Sequence, residues 1–131
     1  MSAQKPTKGE IVEATLSFTT THLPSNGSQK VLMTDENFLP LGLLDALKIN
    51  FKSGTGTTIT VWVLDKELAD DADLGNNVVM KISSHAQGQA VYQAPGGPVP
   101  VASKTSGKIG VKVQVTGGNA AVDVVVVGRG A

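Results

Sequence analysis

Cysteine is absent from the 131-residue sequence, which excludes a disulfide scaffold, a thiol nucleophile and any thiolate-based metal site. Aromatic residues are scarce, with one Trp, one Tyr and three Phe, and only two histidines are available for proton transfer near neutral pH. Net charge is also lacking: eleven basic side chains balance eleven acidic ones, so the positive excess of a dedicated nucleic-acid binder is missing. Long apolar runs are missing too. The longest stretch without a charged side chain, Ile82 to Ser103, holds His85, Pro95, Pro98, Pro100, Gly88, Gly96 and Gly97, a composition incompatible with a spanning helix. The first residues lack the basic, apolar, small-residue order of a secretory signal, so the expectation is a soluble protein made in the cytoplasm.

What the sequence does hold is β-branched side chains. The 17 Val, 5 Ile and 12 Thr make up about a quarter of it, a bias toward strands. Residues 1–9 are polar, include Pro6 and Gly9, and read as a flexible N-terminal arm, leaving 10–131 as one domain. Val12, Ala14, Leu16 and Phe18 then alternate with polar residues, the two-residue period of a half-buried strand. Further strands are predicted at Lys30 to Met33, Leu47 to Phe51, Ile59 to Val63, Val78 to Ile82, Gln89 to Ala94, and on both sides of Gly117-Gly118. Leu43, Leu44 and Leu47 hint at a helical turn, but Leu47, Ile49 and Phe51 alternate as a strand does.

Two hairpins follow from turn chemistry. A three-residue Gly54-Thr55-Gly56 loop would set Phe51 opposite Ile59, Ile49 opposite Val61 and Leu47 opposite Val63, which keeps the apolar faces matched. A Gly117-Gly118 turn would set Val113 opposite Val122, Val111 opposite Val124, Ile109 opposite Val126, and Lys112 opposite Asp123. Seven to nine short antiparallel strands without a long helix predict an all-β, single-domain β-sandwich. A jelly-roll-like arrangement is preferred, because the Cys and Trp markers of immunoglobulin domains are absent.

Catalytic signals are thin, and no enzyme is predicted. Ser83-Ser84-His85 lacks the G-x-S-x-G elbow and reads as a loop with a solvated histidine, as does His22. Glu10, Glu13, Asp35 and Glu36 form no recognisable pair for glycoside chemistry. The Gly54-Thr55-Gly56 segment lacks the Lys and helix of a phosphate loop. The acidic stretch Asp65, Glu67, Asp70, Asp71, Asp73 reads as a solvated loop or one short helix. A cation site from Asp71, Asp73 and Asn76 and a protein-contact patch are its alternatives, but no EF-hand pattern is present. No cofactor is implied.

Trp62 carries more information. The first hairpin register points it away from the apolar face and beside Lys48, which makes it a candidate contact anchor. Cover by the arm or by residues 34–42, and a sugar-stacking platform, are the competing roles. The charge balance is itself uneven: residues 1–52 hold five basic and five acidic side chains, 53–75 hold one and five, and 76–131 hold five and one. An acidic middle and a basic C-terminal third could meet within one fold or between neighbouring copies.

The polar arm, the early strand, VLMTDENFLPLG, LDALKINFKSGTGTTITVWVL and the closing SGKIGVKVQVTGGNAAVDVVVVGRGA together resemble the small β-sandwich virion proteins of tailed bacteriophages, in particular capsid decoration or cement proteins. The resemblance implies a non-catalytic homotrimer that binds the major capsid protein on the outer capsid surface and bridges neighbouring subunits, with neither nucleic acid nor membrane as partner. Candidate contact residues are then Lys5, Lys8, Lys48, Trp62, Asp70, Asp71 and Asp73. A non-catalytic binding module, for carbohydrate or in a phage tail or fibre, is the alternative.

Overall fold

The computed structural model describes residues 10–34, 41–53, 56–94, 96–97, 99–100 and 109–130. Predictions for the arm, including Lys5 and Lys8, and for Asp35, Glu36 and the 54–55 step lie outside them. The strands are β1 (Ile11–Phe18), β2 (Gln29–Met33), β3 (Leu41–Ser53), β4 (Thr58–Leu64), β5 (Val78–Ala86), β6 (Gly88–Gln93), β7 (Val99–Pro100), β8 (Gly110–Thr116) and β9 (Ala121–Gly130). Among the described residues there is no helix, and therefore none long and apolar enough to cross a membrane. The acidic 65–77 stretch is a loop.

One sheet runs β1-β9-β3-β6, with β7 also on β3; the other runs β2-β8-β4-β5. Every pairing is antiparallel. The pairs nest: β4 with β5, β3 with β6, β2 with β8, β1 with β9. The topology is that of one long antiparallel hairpin rolled over itself into two facing sheets, a jelly roll, as the strand pattern predicts.

Both proposed hairpins are overturned. β3 and β4 lie in different sheets, as do β8 and β9, so neither pair forms a hairpin and the Gly117-Gly118 segment is a corner between sheets. Val113 pairs with Lys30 and Val61, while Val122 pairs with Phe18 and Phe51. The apolar stripe itself is correct: Ile109, Val111, Val113, Val122, Val124 and Val126 are all fully buried. Period-two patterning fixes which face of a strand is buried, but a partner beside it and a partner across the core satisfy that pattern equally well. The corner is closed by its neighbours. Gly117 has φ +116°, and a Cβ there would sit 3.1 Å from Gly56 O and 3.2 Å from Thr57 Cα, while its N–H donates to Asn26 Oδ1 at 2.9 Å.

The core fills the space between rows of inward side chains. Phe18, Val122 and Phe51 form one row of the first sheet; Leu32, Val111, Val63 and Met80 form a row of the second. At about 25 cal/mol per Å² of apolar surface, each fully buried Val, Leu or Phe contributes roughly 1.5–3 kcal/mol, which makes this core the main stabilising term. At its rim His85, from β5, is buried rather than solvated. Its Nδ1 accepts from the Tyr92 hydroxyl of β6 at 2.6 Å and its Nε2–H donates to Gly88 O at 3.2 Å, a link between the two sheets.

Candidate protein-contact surfaces

Each sheet turns one row-patterned face outward. On the β1-β9-β3-β6 sheet the register aligns Thr15, Val125, Lys48 and Val91 in one row and Ser17, Asp123, Asn50 and Gln89 in the next. Over this face lie an open groove of about 670 Å³ lined by Thr15, Lys48, Asn50, Val91 and Val125 and a smaller one of about 350 Å³ toward Glu13, Asp45 and Arg129. Its charges are matched internally: Lys48 to Glu13 at 2.8 Å, Lys52 to Asp123 at 3.1 Å, and Arg129 to Asp45 at 2.9 Å. Exposed pairs of this kind contribute about 0–1 kcal/mol each, so they order the face more than they stabilise the fold. Asp45 occupies the break in register between Leu44 and Ala46, a bulge that turns its carboxylate toward Arg129. Val91, 58 % exposed, is the most open apolar side chain of the face's centre.

On the outer face of the other sheet the register builds the row Val31, Lys112, Trp62, Lys81. The Trp62 ring is half-buried, with the Lys112 and Lys81 ammonium groups 5.2 and 5.6 Å from its centroid. Lys112 is only 6 % exposed, and its ammonium head meets the ring quadrupole. Trp62 thus points outward as the alternation requires, but its neighbours are these two lysines. Lys48 belongs to the opposite sheet, and Lys112 does not pair with Asp123.

The acidic loop crosses this same face. It leaves β4 after Leu64, passes over Gly110, where a Cβ would meet Lys66 O at 3.3 Å and Met33 Sδ at 3.2 Å, and reaches the edge of β2. There Asp70 Oδ1 accepts from Val31 N at 2.8 Å, and Oδ2 lies 3.6 Å from Lys30 Nζ. Strand N–H groups lie in the plane of the sheet, so the Asp70 carboxylate sits beyond the outermost strand and covers an edge open to pairing. Asp73 Oδ1 accepts from Gly75 N at 3.1 Å in a local turn. Asp71 and Glu67 are exposed. Among the described residues, no group of three or more His, Asp or Glu is arranged to hold a metal ion.

The candidate residues therefore fall on separate surfaces: Lys48 on one outer face, Trp62 on the other, and Asp70, Asp71 and Asp73 in the loop that crosses the second. Sequence reasoning missed Lys81, Lys112 and the ion-paired groove. Alternation marks Lys81 and Lys112 as outward, but their approach to Trp62 depends on strand order.

No protein-family profile and no curated protein matches the sequence. Similar solved structures include a chain of the capsid of Ralstonia phage GP4, with 15 % identity, coverage of 100 % of this chain and 92 % of that one, and a TM-score of 0.51. A chain of the cyanophage Pam1 capsid has the same identity and coverage at a TM-score of 0.47. The crystal structure of FLHE has 9 % identity, coverage of 91 % and 97 %, and a TM-score of 0.45. Over its whole length the chain thus shares the all-β sandwich fold of a chain in the Ralstonia phage GP4 capsid.

Proposed function

We propose that this protein is a structural component of a bacteriophage virion, which binds the major capsid protein on the outer surface of the capsid and bridges neighbouring subunits as a homotrimer. The observation that carries the reading is the end-to-end likeness to the GP4 capsid chain, in which neither protein has a large extra segment. The two outer faces suit the role. One is a groove laced with ion pairs, the other a basic row around Trp62, and both are broad and patterned enough to contact protein. The work of such a protein is adhesion rather than catalysis: each copy buries modest area, and repetition over the shell supplies the stabilisation.

Cryo-electron microscopy of particles incubated with the purified chain tests this directly. Ordered density for the jelly roll on the outer shell, together with a higher temperature of genome release, is the expected result. Absence of the chain from particles at saturating concentration overturns the reading, and binding to a glycan array instead would favour the carbohydrate-binding alternative.

A further inference from the structure

The two sheet orders leave β1, β6, β2 and β5 at their ends, and a strand end of a sheet is a template for pairing unless something blunts it. Three of the four are blunted. Asp70 Oδ1 occupies Val31 N on β2. β5 breaks register with β4 twice and carries Ser84 at φ 56°. β6 runs only from Gly88 to Gln93 and is tied to β5 through Tyr92 and His85. β1 has no such device: Ile11–Phe18 pairs with β9 in unbroken register and contains no proline. Its single charged side chain, Glu13, reaches across β9 to Lys48 of β3, away from the edge. The seam behind that edge is apolar and part-open. Val12, Ala14 and Leu16 face the core yet are only partly buried, as is Leu32 of β2, whereas Leu47, Ile49, Val124 and Val126 are at most 2 % exposed. Among the described residues no hydrogen bond joins β1 to β2, while His85 and Tyr92 latch the opposite side of the sandwich.

From this edge we infer that β1 pairs antiparallel with β1 of a second copy, so that one sheet continues through a two-fold axis at Thr15. The strand is self-complementary in that register. Thr15 meets the second copy's Thr15 and Glu13 meets Ser17 on the outer face, while Val12 meets Phe18 and Ala14 meets Leu16 on the inner face. An axis at Ala14 would set Phe18 against Glu10, an axis at Glu13 would oppose two carboxylates, and an axis between residues would mix the two faces. An axis at Leu16 would run Val12 into the turn closed by His22 N and Thr19 O. Pairing of Val12 to Phe18 forms roughly six to eight backbone hydrogen bonds and covers the part-open Val12, Ala14 and Leu16. The contact is isologous, and the Asp70 cap keeps β2 from joining in the same way, so only one layer continues. The inference goes beyond the proposed function: a two-fold contact links one trimer to the next, or one free chain to another, and needs no capsid.

A thiol at the axis tests it, because the chain has no cysteine of its own. Directly opposed residues have Cα atoms about 4.5–5.5 Å apart, within disulfide reach, so Thr15→Cys should give a covalent dimer on mild oxidation of the native protein. Ser17→Cys should not, since four residues of offset put the two thiols roughly 13 Å apart along the strands. Thr15→Lys and Thr15→Glu each oppose like charges at the axis and should raise the dissociation constant in sedimentation velocity at least about tenfold. An equal mixture of the two should recover it, because the axis then sets lysine against glutamate. Thr15 is exposed, so unfolding of these variants, measured at a dilution where wild type is monomeric, should stay near the wild-type temperature and serves as the folding control. Absence of the Thr15 cross-link, equal cross-linking at Ser17, or a wild-type assembly that Thr15→Lys leaves intact overturns this contact. The last of these leaves the trimer of the proposed function standing, whereas a Thr15 contact in a chain that forms no trimer removes that trimer alone.

Discussion

Removing the Asp70 carboxylate tests whether the exposed edge of β2 is held by a side chain. Asp70→Ala deletes the 2.8 Å bond to Val31 N and the 3.6 Å pair with Lys30. A hydrogen bond to a charged group contributes roughly 1.5–3 kcal/mol, but because the Asp70 side chain is 44 % exposed, water replaces part of the loss and about 1 kcal/mol remains. The Lys30 pair, exposed by 33 % on the lysine side, adds only about 0.2–0.5 kcal/mol. The total of about 1–1.5 kcal/mol corresponds to a fall in Tm of roughly 3–6 °C for a domain of this size. Asp70→Asn keeps an acceptor for Val31 N and loses only the charge, so it should cost less than about 0.5 kcal/mol. Urea denaturation gives both stabilities, and amide hydrogen exchange reads Val31 directly: its N–H should exchange faster in the alanine variant and at the native rate in the asparagine variant. Equal stability of the two variants, with Val31 exchange unchanged in both, would refute the edge-capping argument.

Gly110 has no positive φ, so its requirement is contact rather than conformation, and Gly110→Val should destabilise by roughly 1–3 kcal/mol in denaturant because the loop backbone at Lys66 must lift. Gly110→Ala should cost less, and a valine variant as stable as wild type would show that the loop does not rest on the sheet. Tyr92→Phe removes the hydroxyl that donates to His85, leaving a part-buried acceptor at a cost of about 1–2 kcal/mol. A double-mutant cycle with His85→Phe should show coupling, and strict additivity would mean that the two sheets are not linked there.

Strand identity was legible because most strands have one wetter face, although β8 is buried on both sides over Gly110–Val113. The β1 alternation of Val12, Ala14, Leu16 and Phe18 against polar residues appears in the structure as alternating burial, and the inward residues of β8 and β9 are buried as the pattern requires. Sheet partners were not legible. Phe51 can face Ile59 across a core or lie beside it in a hairpin with the same side buried, and glycines permit either a turn or a corner. His85 was misread for a related reason: its polar ring gives no sign of burial until Tyr92 and Gly88 are brought to it from the other sheet. The candidate site was legible only in parts. Trp62 points outward as alternation demands, but the prediction of Lys48 as its neighbour failed with the hairpin.

The sequence by itself determined an all-β chain, the buried face of most strands, and a neutral charge composed of an acidic middle and a basic end, because these depend on residue type and spacing alone. Tertiary structure decided which strands pair, that the acidic loop is tied to the β2 edge, and that Lys81 and Lys112 flank Trp62. Those relations join residues as far apart as Asp70 with Val31 and Trp62 with Lys112, and nothing local encodes them. They are fixed by nested pairing, in which each strand's position depends on where all the others have gone.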